Sequence, residues 1–267
     1  MNLRKPFSRV GGKTYNGKKI LTFFPTNYQE YNYVEPFCGG ASLYFYKKKA
    51  NEDKFEVLND IDNDVKILLD GFKTFSKEEI IEELEKLPLD IDTFNHFKRV
   101  DTSTLTEFQK FIRLLYLSKN SYAGMMKRFN VKITNLKRIK MIENGGQLFR
   151  KYRLEDFRNR MDRTIISNED YKEIIRKYDS ENTLFYIDPP YENSSRMYKH
   201  FNVDYNELAE ILKNIKGKFL LSINKNPLFL DIFNYNHTII KVKYQNIGTM
   251  NKNGKQREIE EFLFYNF

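Results

Sequence analysis

The chain has 267 residues, 40% of them apolar and 15% aromatic, so it can bury a substantial core; its aromatics are Phe (23) and Tyr (18), with no Trp. It carries 45 Lys/Arg against 36 Asp/Glu, a formal charge of +9, and its single cysteine, Cys38, excludes a disulfide framework or a cysteine-rich zinc site. No apolar run reaches the ~18–20 residues of a membrane span, and the basic N-terminus lacks the apolar stretch of a signal peptide, so an intracellular protein that is neither secreted nor membrane-bound is expected.

In chain order, residues 1–29 hold six Lys/Arg and no acid. A strand is predicted over 31–34, running into Phe37-Cys38-Gly39-Gly40-Ala41-Ser42 and then an apolar helical pattern. Glycines at a strand-to-helix turn let the backbone approach a ligand and permit positive φ. A second strand, 55–58, leads to Asp60, twenty-one residues beyond Gly39. That spacing suits an acid gripping the ribose hydroxyls of a nucleotide-like cofactor. The third glycine of a dinucleotide fingerprint is absent and no phosphate loop follows. A cofactor with a nucleoside but no phosphate therefore fits better than NAD or ATP.

Residues 51–92 are strongly acidic, and helix starts are predicted at Ser76 with Glu79 and at Thr104 with Glu107. From about 75 to 160 there is no good strand candidate. This stretch reads as a helical second lobe, 75–160, inserted between the two parts of a main domain, 1–74 and 161–267. Its stripe Phe108, Ile112, Leu115 is ordinary helix core. Toward its end, residues 127–153 hold nine Lys/Arg against the single acid Glu143. Charge separated in this way suits a polyanion, whose counterions it would release, or a solvated basic face.

Further strands are predicted over 164–167, 183–187 and 218–223, with a helix start at Asp204 and Glu207. Strands alternating with helices predict an α/β fold with a largely parallel, Rossmann-like sheet. The strand at 164–167 runs on to Asp170 and Tyr171, an acid able to accept from an adenine amino group beside a ring able to pack on the purine; an ordinary strand end is the plainer reading. The strand at 183–187 stops at Asp188-Pro189-Pro190-Tyr191, where two prolines end sheet pairing and leave a stiff ledge. The Asp188 carboxylate and the Pro189 carbonyl could each accept one N–H of an exocyclic amine while Tyr191 stacks on its ring. An aromatic amine is a weak nucleophile because its lone pair is delocalised, and two such acceptors would localise it toward an electrophilic methyl. The last strands, 237–244 and 259–265, form a predicted hairpin whose loop carries Lys252, Lys255 and Arg257. His96, His200 and His237 share no ligand spacing, so no metal site is expected.

Taken in order, these parts resemble the Dam-type (D12 class, alpha-group) adenine-N6 DNA methyltransferases, over nearly the whole length. Arg9-Val10-Gly11-Gly12-Lys13 is similar to the family's N-terminal element, Val34-Glu35-Pro36-Phe37-Cys38-Gly39-Gly40-Ala41-Ser42 to its first cofactor motif, and Asn59-Asp60-Ile61 to its ribose-binding acid. Asp170-Tyr171 is similar to its adenine-binding pair and Asp188-Pro189-Pro190-Tyr191 to its catalytic tetrad; Ser222-Ile223-Asn224 and the C-terminal hairpin also match. The resemblance implies S-adenosylmethionine as cofactor, double-stranded DNA as partner, a flipped-out adenine as substrate and a DNA-containing compartment. It places target reading in 117–130. Asn120, Tyr122, Arg128 and Asn130 are candidates there, with Lys127, Lys132, Lys137 and Arg138 nearby for phosphate contact. Arg9 stands where the family usually has an aromatic residue, and Ala41 where it often has glycine. Methylation of RNA adenine, and a non-catalytic DNA-binding protein on a methyltransferase fold, are the alternatives.

Overall fold

The computed structural model describes residues 3, 5–7, 16–121, 124–130, 154–191, 203–224, 226–233, 237–243 and 258–267. Its strands are β1 (Asn32–Glu35), β2 (Glu56–Asn59), β3 (Thr164–Ser167), β4 (Thr183–Ile187), β5 (Lys218–Ile223), β6 (His237–Lys243) and β7 (Glu258–Tyr265). They form one sheet in the order β3-β2-β1-β4-β5-β7-β6. β3, β2, β1, β4 and β5 run parallel, while β7 pairs antiparallel with both β5 and β6. This is the predicted α/β, Rossmann-like sheet, closed by the predicted hairpin. Chain order reverses between β1 and β4, and a crevice forms outside the carboxyl ends of the strands at such a switch point.

Three strands have the predicted bounds, whereas β1 and β2 each start and end one residue later than expected. The residues that extend them, Glu35 and Asn59, are polar but buried, which a hydrophobic pattern does not reveal. Tyr31, in turn, belongs to the end of a 3-10 turn at Tyr28–Glu30.

Helices cover both faces. On one side lie α1 (Gly17–Leu21), α2 (Ser42–Tyr46), α3 (Asn63–Thr74), α4 (Lys77–Lys86), α6 (Glu107–Lys119) and α7 (Leu154–Met161); α5 (Ile91–Arg99) sits against α6. Their buried Leu43, Phe45, Leu69, Phe72, Phe111 and Leu115 share a cluster with Tyr33, Leu58, Leu184 and Leu220 of the sheet. On the other side α8 (Tyr171–Tyr178), α9 (Tyr205–Lys213) and α10 (Pro227–Ile232) pack Ile174, Leu208 and Phe229 against Val34, Phe185, Leu221 and Phe264. The period-two alternation of each strand thus feeds two cores.

The helices between 75 and 160 are anchored on the sheet domain. α6 crosses α3 so closely that a Cβ on Gly71 would lie 2.0 Å from the Phe111 ring. A smaller cluster of Phe94, Tyr116 and Leu117, with Phe129 beside it, joins α5 to α6. Ser76 and Glu79 make the reciprocal capping box predicted for α4. Asp204 caps α9, accepting from the amides of Asn206 and Glu207. The start predicted at Thr104 is corrected: Thr106 and Gln109 form the capping box of α6, and Thr104 closes a 3-10 turn whose N-cap is Asp101. Two overlapping S/T-x-x-E/Q patterns competed, and the one next to the buried run prevailed. Among the described residues no helix is long and apolar enough to cross a membrane.

Candidate active site

Three strand-end loops are laced together at the crevice. Asn59, fully buried at the end of β2, donates to the carbonyls of Pro36 (3.0 Å) and Glu169 (2.9 Å) and accepts from the Glu169 amide (2.8 Å). One side chain therefore ties the loops after β1 and β3 to β2. Asp60 follows: its Oδ2 accepts from the Gly39 amide (2.8 Å), its Oδ1 from the Asp62 amide (2.9 Å), and its carbonyl from Asn168 (2.7 Å). These bonds hold the acid fixed at the end of β2, against the turn after β1. Next to it Ile61 is 48% exposed, a large apolar side chain at the mouth of the crevice.

Gly39 has φ +50°, and a Cβ built there would meet nothing within 4 Å, so the turn faces open space. Gly40, by contrast, lies beneath the Lys5 side chain. Ala41 is buried in the left-handed region (φ +51°) at the N-cap of α2, a conformation glycine adopts without cost. Cys38 is buried with the apolar core, and Ser42 opens α2. Phe37 packs its ring on Tyr171 (centroids 5.0 Å apart), while Asp170 caps α8 through the Lys172 amide (2.9 Å). The described residues of the predicted cofactor set thus lie at or just beyond the ends of β1, β2 and β3, except Asp188, which follows β4.

Asp188 follows β4 directly, at the switch point beside β1. The ledge after it is braced from two sides: Tyr205 donates its hydroxyl to the Pro190 carbonyl, and Tyr191 donates its own to Glu261 of β7. Glu35, at the end of β1, is buried and accepts from the Tyr33 hydroxyl (2.7 Å). Burial pushes its carboxyl up to about 8; the Tyr33 bond and the Lys47 charge oppose this, and the neighbouring Asp188 charge adds to it. Lys47 is itself buried in an ion cluster with Glu56 and Arg160, where burial lowers its ammonium to about 8 against the pull of Glu56.

In the segment 117–130, Asn120 caps α6 and turns its amide to the Tyr116 carbonyl (2.9 Å). The chain then returns: Ser121 bridges to Phe129, the Asn130 amide donates to the Asn120 carbonyl (2.9 Å), and Phe129 packs edge-on to Phe94. Lys127 and Arg128 are exposed on this pinned loop, and the Lys127 carbonyl accepts from Lys98 (2.9 Å). Lys119, ending α6, has its ammonium lowered to about 8 by burial and then by the like charge of Lys5. Arg9, Gly12, Lys13, Tyr122, Lys132, Lys137, Arg138, Lys252, Lys255 and Arg257 lie outside the described residues.

Sequence reading did not single out Glu261, Tyr205 or Lys5. Glu261 had a signal: it is an acid two residues before the buried Leu263, on a strand whose core-facing neighbours are apolar. Tyr205 and Lys5 had none, because a tyrosine opening an amphipathic helix and a lysine in a basic N-terminus are unremarkable.

Residues 10–246 match the family model of the D12 class N6 adenine-specific DNA methyltransferases. The chain is 24% identical over 249 residues to the Type II methyltransferase M.CviBI of Paramecium bursaria Chlorella virus NC1A, covering 88% of each protein. It is 25% identical over 299 residues to the Type II methyltransferase M.MjaIII of Methanocaldococcus jannaschii, covering 98% of this chain and 99% of that one. The chain belongs to the D12 class of N6 adenine-specific DNA methyltransferases and is an adenine-specific DNA-methylating enzyme.

Proposed function

We propose that this adenine-N6 DNA methyltransferase uses S-adenosylmethionine, with Asp60, Gly39 and Asp188 as the core of its site. The observation that carries the reading is the Asp60 carboxylate held on the Gly39 amide, beside a turn whose Cβ position faces open space, one strand away from Asp188. A nucleoside fits this arrangement: Asp60 would accept from the ribose hydroxyls, and Ile61 and the Phe37–Tyr171 pair would flank the purine with Asp170. Glu35 and the segment Cys38, Gly40, Ala41, Ser42 would line the methionine side, together with Arg9, Gly12 and Lys13.

When bound, the cofactor supplies an electrophilic methyl on a sulfonium. Asp188 and the Pro189 carbonyl would accept the two N–H bonds of the adenine amine and hold its nitrogen lone pair toward that methyl. The rigid Pro189-Pro190 pair fixes the two acceptors relative to each other, so little reorganisation is needed as charge develops. Tyr191 would hold the ring of an adenine taken out of the duplex stack.

The 75–160 segment would act as the target-recognition lobe. Arg128, exposed on the loop pinned by Phe129, would reach a base edge; Lys127 would touch phosphate, with Asn120 and Asn130 shaping the loop. Tyr122, Lys132, Lys137, Arg138, Lys252, Lys255 and Arg257 extend the basic surface in the same reading.

Asp188→Ala is expected to lower methyl transfer from labelled S-adenosylmethionine to duplex DNA by roughly 10³-fold while DNA affinity holds. Retained activity would remove Asp188 from the chemistry. Arg128→Ala should relax site preference, mapped by protection of methylated plasmid, by about tenfold or more at one position. An unchanged site would end its assigned role.

A further inference from the structure

Glu261 is 1% exposed on β7, after the exposed Glu260 and directly before the buried Phe262, Leu263 and Phe264. Leu263, two residues on and on the same side of the strand, is fully buried in the core shared with α2, α3 and α6. An acid at such a position carries a large desolvation cost unless donors meet it, and a hydrophobic residue of similar volume would ordinarily serve the fold as well or better. Two hydroxyls meet this one. Ser222 of β5 donates to its Oε1 at 2.5 Å, and Tyr191 of the ledge donates to the same oxygen. Neither donor is local, since they lie 39 and 70 residues away in the chain.

Hydroxyls can be satisfied by water or backbone, and strands can be packed by leucine. A buried acid placed where two hydroxyls from two different strand ends converge is instead a device for holding one of them. Ser222 is a fixed point, buried inside β5 next to β4. Tyr191 lies beyond the last ladder bond of β4, half-buried against the core of that face and attached through two prolines that can donate nothing. Its backbone is anchored one residue earlier by Tyr205 on the Pro190 carbonyl. A bond at the far end of the phenol fixes the ring's setting about χ1 and χ2.

We infer that Glu261 is a positioning residue for methyl transfer, pinning the Tyr191 hydroxyl so that the ring is preset to receive the target base, with Ser222 orienting Glu261. The inference rests on the reading of Tyr191 as the residue that holds the base. It makes the β6–β7 hairpin part of the catalytic apparatus and not only the edge of the sheet.

The test is single-turnover methyl transfer by the purified full chain, with duplex DNA and labelled S-adenosylmethionine, for Tyr191→Phe, Glu261→Leu and their double variant. Glu261→Leu fills the site with an apolar residue of similar size and should keep the melting temperature close to the parent's. Each single variant is expected to slow the transfer step about tenfold, with the KM for cofactor within about twofold. The double variant should be no slower than the slower single, because both changes break the same bond. Effects that multiply, or a Glu261→Leu enzyme with parental rate, would overturn the inference. Glu261→Gln, which retains an acceptor oxygen, should recover part of the rate, and in the Tyr191→Phe background its residual effect should vanish. That pair decides the matter even where Glu261→Leu fails to fold. Tyr191→Ala separates the two levels: an active Tyr191→Ala enzyme defeats the base-holding reading itself, whereas an inactive one with multiplying single effects defeats only the role of Glu261.

Discussion

The two halves of the crevice are built in opposite ways. On the β1–β2–β3 half, the loops are fastened to one another near their own strands, by Asn59 on Pro36 and Glu169 and by Asp60 on Gly39. On the β4–β5–β7 half, the ledge is held by single hydroxyls reaching distant elements, Tyr191 to Glu261 and Tyr205 to Pro190. The first half is a cross-linked cradle whose members hold each other. The second is a rigid strip of chain steadied by a few long-range props. A cradle suits a ligand that must be gripped in one pose through the reaction, while a propped ledge suits a base that arrives from outside.

The contrast is easiest to break at Asn59. Asn59→Ala strands the Pro36 and Glu169 carbonyls and the Glu169 amide together, and should cost about 3 kcal/mol of stability. Denaturant unfolding would measure this, with cofactor affinity falling alongside. A loss well under 1 kcal/mol would mean the three loops hold without their clip.

Glu35 sits on the seam between the halves, beside Asp188, and titrates unusually. Its folded carboxyl is raised to about 8 from an ordinary 4.5, so between those values the folded chain keeps a proton that the unfolded chain has released. The stability this contributes is complete below about pH 4.5 and declines as pH rises toward 8, by at most about 1.4 kcal/mol per pH unit. Glu35→Gln should remove that decline, so the variant gains on the parent between pH 5 and pH 8 in matched urea titrations. Parallel pH profiles would show that Glu35 is ionised in the fold.

The smallest effect sharpens the picture of the cradle. Ala41 holds a left-handed conformation at φ +51°, and Ala41→Gly should raise stability by about 0.5–1 kcal/mol. A loss on calorimetry would mean that the buried methyl contributes more than the strain removes.

Legibility followed the same division. The cradle was readable because its parts are strand ends in local motifs: the Gly39–Gly40 turn, and an acid twenty-one residues on. Asp60 does stand beside that turn, bonded to the Gly39 amide, a contact that the spacing alone did not predict. The ledge itself was readable from its prolines, but its props were not, since nothing in the sequence near Tyr191 points to a glutamate seventy residues away. The helices at 77–86, 91–99 and 107–119 were visible from the absence of strand patterns. The docking of α6 on α3 through Gly71 was not, because a glycine within a helix signals close approach without naming the neighbour.

By itself, the sequence determined the strands to within a residue, most of the helix caps and which acids and prolines stand at the strand ends, because hydrophobic period, capping residues and proline act over a few bonds. Strand order, the lacing by Asn59 and the convergence of Ser222 and Tyr191 on Glu261 were decided only by the tertiary structure. Those contacts join residues far apart in the chain, and their positions depend on how the whole sheet packs between its two helical layers.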